Sequence, residues 1–283
     1  MNFVKKRDIG PYYDRLFSWG SLGKFLAAHD VDSGVHSIKL GNLPLDFELG
    51  LNTGPHLLVF FHGAITANLD RRLPWFTGQG ISKGLNASTL HISDPSLYLG
   101  DGIVSGWYLG NKHQTDLQQN LVQIVEKCRL SAGASQVVFF GGSGGGFASL
   151  YYSAQFPLST AIAFNPQTNL HRHSYKNLRP YLKVGWSKSR LVDLPATVQV
   201  NLDDVYKGSF NNRVFYIQNR SDHHYDIHLR PFVSNIGIGE MYLKIHDLAL
   251  AHTPPPKEFL RSVLESVLLR PFNGNIEGFS SVH

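Results

Sequence analysis

Apolar positions fall into short, nearly continuous runs separated by stretches with helical or irregular spacing. Residues 56–61 (HLLVFF), 88–92 (STLHI), 136–140 (QVVFF), 160–164 (TAIAF), 213–218 (RVFYIQ) and 240–245 (EMYLKI) are such runs. Their β-branched and aromatic content predicts strands buried in a parallel sheet. Residues 37–49 alternate loosely, with Ile38, Leu40, Leu43, Leu45, Phe47 and Leu49 apolar, and predict a strand or hairpin at the sheet edge. Leu117, Leu121, Ile124, Val125 and Cys128 share one face of a helix over 116–130, and Phe147, Leu150, Tyr151 and Ala154 recur at helical spacing. A terminal helix follows from Phe259, Leu260, Val263, Leu264, Val267 and Leu268, with Thr253 as its cap and prolines 254–256 in its first turn. Strands that alternate with helices predict the α/β class: a mainly parallel central sheet, helices on both faces, and an antiparallel N-terminal edge. Residues 1–35 carry little signal. Residues 167–212 show no strong periodicity and read as an insertion after the strand at 160–164, lying over the site as a cap. No repeat or linker interrupts the chain, so a single domain over residues 1–283 is expected.

Bulk composition narrows the class. With 283 residues, 42% hydrophobic and 17% charged, the chain can bury one large core and is not of disordered type. The single cysteine, Cys128, excludes an intrachain disulfide and is expected as a buried thiol. No run of ~18 apolar residues occurs, so no integral membrane contact is expected. The first twenty residues contain Lys5, Lys6, Arg7, Asp8, Asp14 and Arg15 and no apolar segment, which does not read as a secretory signal. A cytoplasmic protein is the expectation; nothing in the sequence fixes an oligomeric state. The net charge of +5 is local. Arg172, Lys176, Arg179, Lys183, Lys188 and Arg190 fall within residues 171–190 with no acidic residue, and the remainder balances 20 basic against 21 acidic residues. One patch of this kind is not a general nucleic-acid surface.

The chemistry concentrates at residues 136–155, QVVFFGGSGGGFASLYYSAQ. A buried strand runs into Gly141-Gly142-Ser143-Gly144-Gly145, then a helix. The glycine run could also be a phosphate loop, but a G-x-G-x-x-G frame starting at Gly142 meets Phe147 where its third glycine belongs, and no Gly-Lys-Ser/Thr follows. G-x-S-x-G between a strand and a helix is a nucleophile elbow: the serine is held at the tip of a strained turn whose flanking residues must be small. The helix behind Ser143 points its free N–H groups at the reacting centre.

With His62-Gly63 after one strand, G-x-S-x-G after a later one, Asp222 after the next-to-last strand and His252 after the last, the chain resembles the α/β-hydrolase superfamily over roughly residues 36–270. The resemblance implies Ser143 as nucleophile, His252 as base and Asp222 as the acid that orients it, each beyond the carboxyl end of a strand. His246 is the rival base; Asp226, Asp203 and Asp204 are rival acids. His62-Gly63-Ala64 resembles the family's oxyanion loop with one glycine instead of three, which points to the backbone N–H groups of Ala64 and Gly144. The His62 side chain itself reads as a buried strand-end histidine. His171-Arg172-His173 and His223-His224 are read as close pairs with no H-x-x-x-H partner or C-x-x-C set, so no metal is expected; nor is a cofactor.

The function implied is a serine-dependent carboxylic-ester hydrolase. An O-acyl- or O-acetyltransferase using the same triad on a saccharide or other hydroxyl acceptor is the alternative, and a non-catalytic binding module the third. The expected partner is a small-molecule or glycan ester. An anionic one would suit Arg172, Lys176, Arg179 and Trp186, taken as candidate substrate-binding residues beside Tyr175 and Tyr181.

Overall fold

A computed structural model describes residues 7–65, 72–270 and 274–282. Lys5 and Lys6 of the N-terminal stretch lie outside them. The strands are β1 (Leu16–Trp19), β2 (Gly34–Leu40), β3 (Leu43–Gly50), β4 (His56–Phe61), β5 (Ser88–Ile92), β6 (Gln136–Gly142), β7 (Thr160–Phe164), β8 (Arg213–Asn219), β9 (Glu240–His246) and β10 (Ser280–Ser281). The helices are α1 (Leu22–Leu26), α2 (Gln79–Ser82), α3 (Leu117–Ser131), α4 (Gly144–Ser153), α5 (Tyr175–Pro180), α6 (Leu202–Tyr206), α7 (Arg230–Asn235) and α8 (Lys257–Leu268).

All ten strands form one sheet in the order β1-β2-β3-β5-β4-β6-β7-β8-β9-β10. From β5 to β9 every pairing is parallel. Antiparallel pairing occurs where β3 meets β2 and β5, and at the far edge where β10 meets β9. The N-terminal edge is therefore antiparallel through β3, while its outermost pair, β1 and β2, is parallel.

The continuous apolar runs have a simple cause. Successive strand side chains point to opposite faces, and here both faces are covered. Leu57, Val59 and Phe61, with Val137, Phe139, Ala161 and Ala163, face α1, α3, α4, α6 and α7 through two contiguous apolar clusters. Leu58, Phe60, Val138, Phe140, Ile162, Phe215 and Ile217 face α2 and α8, where Ile81, Leu260, Val263, Leu264 and Val267 meet them. Cys128 is buried in α3, and burial pushes its thiol far up, beyond the range of a reactive thiolate.

One local expectation changes. α8 begins at Lys257, and its N-cap position is Pro256 with no side-chain cap. Thr253 instead gives its carbonyl to the Asn165 side chain at 3.0 Å. Residues 167–212 fold into short helical turns whose apolar side chains, among them Leu178, Tyr181, Leu182, Trp186, Leu202 and Tyr206, join the cluster on the α4 face. No helix among the described residues is long and apolar enough to cross a membrane.

Candidate functional site

Ser143 sits between β6 and α4 with φ 54° and ψ −117°, a backbone conformation that costs energy for any residue but glycine. What holds it is the packing of the turn. A Cβ at Gly141 would lie 2.3 Å from the Gly145 carbonyl oxygen, and one at Gly145 would lie 2.3 Å from that of Phe61. Only glycine lets these backbones close on one another. The Ser143 N–H donates to the Phe164 carbonyl at 3.0 Å, and its own carbonyl accepts from Phe147 N–H at 3.1 Å.

Asp222 and His252, the candidate acid and base, come from the two neighbouring loops. Asp222 follows β8 and is buried, 2% exposed. His252 lies between β9 and α8. Its Nδ1 donates to Asp222 Oδ2 at 2.6 Å, and its Nε2 lies 2.9 Å from Ser143 Oγ. Asp222 Oδ1 accepts from the His224 backbone N–H at 3.0 Å and faces His223 Nδ1 at 3.1 Å. Burial pushes the Asp222 carboxyl up, but the bonds from His252 and the His224 N–H outweigh it and hold the group below the usual carboxylate range. The His252 loop is fixed to the sheet by two asparagines. Asn219 Nδ2 donates to the Ala251 carbonyl at 2.7 Å, Asn165 Nδ2 donates to that of Thr253, and Asn165 Oδ1 accepts from Asn219 N–H at 2.8 Å.

The rivals lie elsewhere. His246 accepts from Leu248 N–H. Asp203 pairs with Arg172, Asp204 with Lys207 and Asp226 with Arg230.

Gly63 packs beside Ser143: a Cβ there would be 3.6 Å from Ser143 Cβ. Ala64 and Ser143 line one cavity. Gly144 opens α4, so its N–H has no partner inside the helix. His62 is buried; its Nε2 accepts from Asp94 N–H at 3.1 Å, and its Nδ1 donates to the Gly63 carbonyl at 2.8 Å. It shapes the loop that presents Ala64.

The cavity at Ser143 measures about 630 Å³ and is bordered by α2 and α8. Phe60, Phe61, Ile81, Phe140, Phe164 and Pro254 make it mainly apolar; among the described residues its lining holds one lysine, Lys257, and no carboxylate.

The four candidates from the basic stretch are not in this cavity. Trp186 is buried in the core and donates to the Tyr181 hydroxyl at 2.8 Å. Arg172 pairs with Asp203 at 2.7 Å. Lys176 and Arg179 line a separate cavity of about 500 Å³ with Tyr175, Pro180 and Lys183. A tryptophan in a charged stretch reads as a ligand platform in the sequence, yet an apolar ring of this size gains more from burial.

A group the sequence reading missed touches Ser143. Gln167, just past β7, donates from Nε2 to Ser143 Oγ at 3.1 Å and accepts from Trp107 Nε1 at 2.6 Å. The available signal was position: a polar side chain at the carboxyl end of the strand next to the nucleophile strand.

The sequence reading also overlooked that His224 and His228 stand at H-x-x-x-H spacing. With His173 they bring donor atoms within 4.8 Å of one another; Asp222, His223 and His224 form a second such group. His224 Nδ1 donates to the Asn165 carbonyl at 3.0 Å, which leaves its Nε2 as a ligand. His228 Nδ1 accepts from Thr168 N–H at 3.3 Å, which places its proton on Nε2, the nitrogen a metal would need. As held, the trio does not fit a metal. Burial keeps these rings neutral: it lowers His173 and His224 to about 4 and His228 to about 2, helped by neighbouring histidines.

No family model matches the sequence, and no curated protein does. Solved structures do. The capsule O-acetyltransferase of Neisseria meningitidis serogroup A superposes with a TM-score of 0.62 at 13% identity, over 87% of this chain and 99% of that one. The acylaminoacyl peptidase of Pyrococcus horikoshii gives 0.60 at 15% identity, over 90% of this chain and 44% of that one. The S-formylglutathione hydrolase of Agrobacterium tumefaciens gives 0.55 at 15% identity, over 84% and 93%. With its sheet order, its strand–turn–helix at Ser143 and these likenesses, the chain has the α/β-hydrolase fold.

Proposed function

We propose that this protein is a serine-dependent acyl hydrolase acting on a carboxylic ester, with Ser143 as nucleophile, His252 as base and Asp222 as orienting acid. The observation that carries the reading is the unbroken hydrogen-bond chain from Ser143 Oγ to His252 to Asp222, at 2.9 and 2.6 Å. Ser143 Oγ attacks the ester carbon while its proton passes to His252 Nε2, and the carbonyl π electrons move onto oxygen. Backbone N–H groups of Ala64 and Gly144 receive that oxyanion. Collapse expels the alcohol, which takes the proton from His252 and leaves an acyl group on Ser143. Water, deprotonated by His252, repeats the sequence and frees the acid. Asp222 holds the imidazole tautomer and stabilises the imidazolium; its lowered pKa keeps it ionised throughout. The apolar cavity takes the acyl chain.

The second reading is transfer of the acyl group to a hydroxyl of a saccharide or other acceptor. It is favoured by the likeness to a capsule O-acetyltransferase and by the cationic cavity at Lys176, Arg179 and Lys183, which suits an anionic glycan or a phosphate-bearing donor. Fluorophosphonate labelling of Ser143, lost in Ser143→Ala, tests the nucleophile. Labelling at another serine overturns that assignment, and absence of labelling restores the binding-module reading. Nitrophenyl esters of increasing chain length, with products compared in the presence and absence of an alcohol acceptor, separate hydrolysis from transfer.

A further inference from the structure

Ser143 Oγ has one proton to give and two lone pairs. His252 Nδ1 donates to Asp222, so His252 Nε2 is the acceptor and the Ser143 proton points to it. The direction of the second bond on Oγ is also fixed. An indole N–H can only donate, so the Gln167 amide must turn its oxygen to Trp107 and its NH₂ to Ser143. Gln167 is itself buried, its backbone N–H donates to the Ser143 carbonyl at 3.3 Å, and Trp107 is held with φ 51°, an uncommon conformation for so bulky a residue. The amide has no freedom to present its oxygen to the nucleophile.

We propose that Gln167 is a catalytic residue and Trp107 its positioning residue: the Gln167 amide donates to Ser143 Oγ, aims the hydroxyl proton at His252, and stabilises the charge that develops on Oγ. This rests on Ser143 being the nucleophile. In the resting enzyme the Gln167 bond occupies one lone pair, the hydroxyl proton is donated to His252 Nε2, and one lone pair remains for the ester carbon. As the proton passes to His252 Nε2, negative charge grows on Oγ before the bond to carbon is complete. The hydrogen bond from Gln167 then becomes charge-assisted and shortens, so it is worth more in the transition state than at rest. It supports the attacking oxygen, whereas Ala64 and Gly144 N–H support the carbonyl oxygen, so its loss slows attack without changing how substrate binds.

The test compares wild type with Gln167→Ala, Gln167→Glu, Trp107→Phe and the double variant Gln167→Ala/Trp107→Phe. The readouts are the rate of fluorophosphonate labelling, kcat and KM on a nitrophenyl ester, and thermal melting. Gln167→Ala is expected to lower labelling and kcat about 100-fold, with KM nearly unchanged, as when one transition-state donor is removed. Gln167→Glu has nearly the same shape and still accepts from Trp107, yet it offers Ser143 an acceptor that draws the proton away from His252; it should lose more than alanine at unchanged melting temperature. Trp107→Phe frees the amide to flip and should cost less, about 10-fold, and the double variant should match Gln167→Ala alone. Wild-type rates in Gln167→Glu, or additive losses in the double variant, overturn the proposal while leaving Ser143 as nucleophile. If Gln167→Ala fails to fold, the Glu and Phe variants decide. Absence of labelling at Ser143 in the wild type overturns the nucleophile and this inference together.

Discussion

The cavity at Ser143 and the cavity at Lys176, Arg179 and Lys183 are built from opposite materials. The first is walled by aromatic and aliphatic side chains from β4, β6, β7 and α2, elements of the sheet and its covering layer. The second is a cationic shelf made by one short helix and the turn after it. Ser143 lines the first and not the second. On the proposed function, bond-making and recognition of charge fall to separable parts of the chain: the sheet supplies the geometry, and a segment outside it supplies the field. On that reading a neutral ester needs only the first part, and an anionic donor or acceptor engages both.

That separation can be broken at several points. The largest effect belongs to the triad. Ser143→Ala should lower ester turnover by about 10⁶, His252→Ala by a similar amount, and the double variant no further, since both remove one working unit; steady-state kinetics on a nitrophenyl ester checks this. Full activity in His252→Ala with loss in His246→Ala would move the base. Next comes the apolar wall. Gly80 lines the Ser143 cavity, and a side chain there meets the flexible end of Lys257 at 2.9 Å. Gly80→Leu should cut kcat/KM for long-chain esters by about 10- to 100-fold and spare the acetyl ester, because losing room for about one methylene is worth about 1–3 kcal/mol. A smaller change is expected from the shelf. Replacing Lys176, Arg179 and Lys183 by Gln should raise KM several-fold for an anionic ester, flatten its salt dependence and leave a neutral ester unchanged. Equal effects on both esters would join the two cavities into one site.

The seam between the regions supplies a pH test. His173 comes from the segment after β7, and His224 and His228 from the loop after β8 that also carries Asp222; the His224 ring lies 4.2 Å from that of His252. His224 and His228 are buried and titrate well below 6.5, at about 4 and about 2. The unfolded chain therefore binds protons that the folded chain refuses. Stability should fall as pH drops from about 6.5 toward 4, by up to about 1.4 kcal/mol per pH unit for each histidine. Thermal melting across that range should show the slope, and His228→Asn should reduce it; a flat profile would mean that the seam stays hydrated.

The sheet was legible because its strands are buried on both sides, which leaves continuous apolar runs that no surface segment mimics. The elbow was legible because its two flanking glycines are forced by backbone contact. The order of Ser143, Asp222 and His252 could be read because each follows a strand. The rest was set by contacts between residues far apart in sequence. Nothing near Gln167 announces that Trp107, 60 residues away, will fix its amide. β1 pairs with β2 over four residues, too few for an alternation to stand out. Arg172, Lys176, Arg179 and Trp186 form a run in sequence, but short helical turns send Trp186 inward, Arg172 to Asp203, and the other two to a separate shelf.

The asparagine clamps on the His252 loop bear on how this protein would wear out. Asn165 and Asn219 belong to the ends of β7 and β8, so His252 is tied to the middle of the sheet through side chains that are not its own. Loops usually fray at free energies far below that of global unfolding, and a base carried on such a loop would be lost first. Here the loop cannot lift away unless bonds anchored in two central strands also open. Catalytic competence and the folded sheet should therefore disappear together on heating, in a single step.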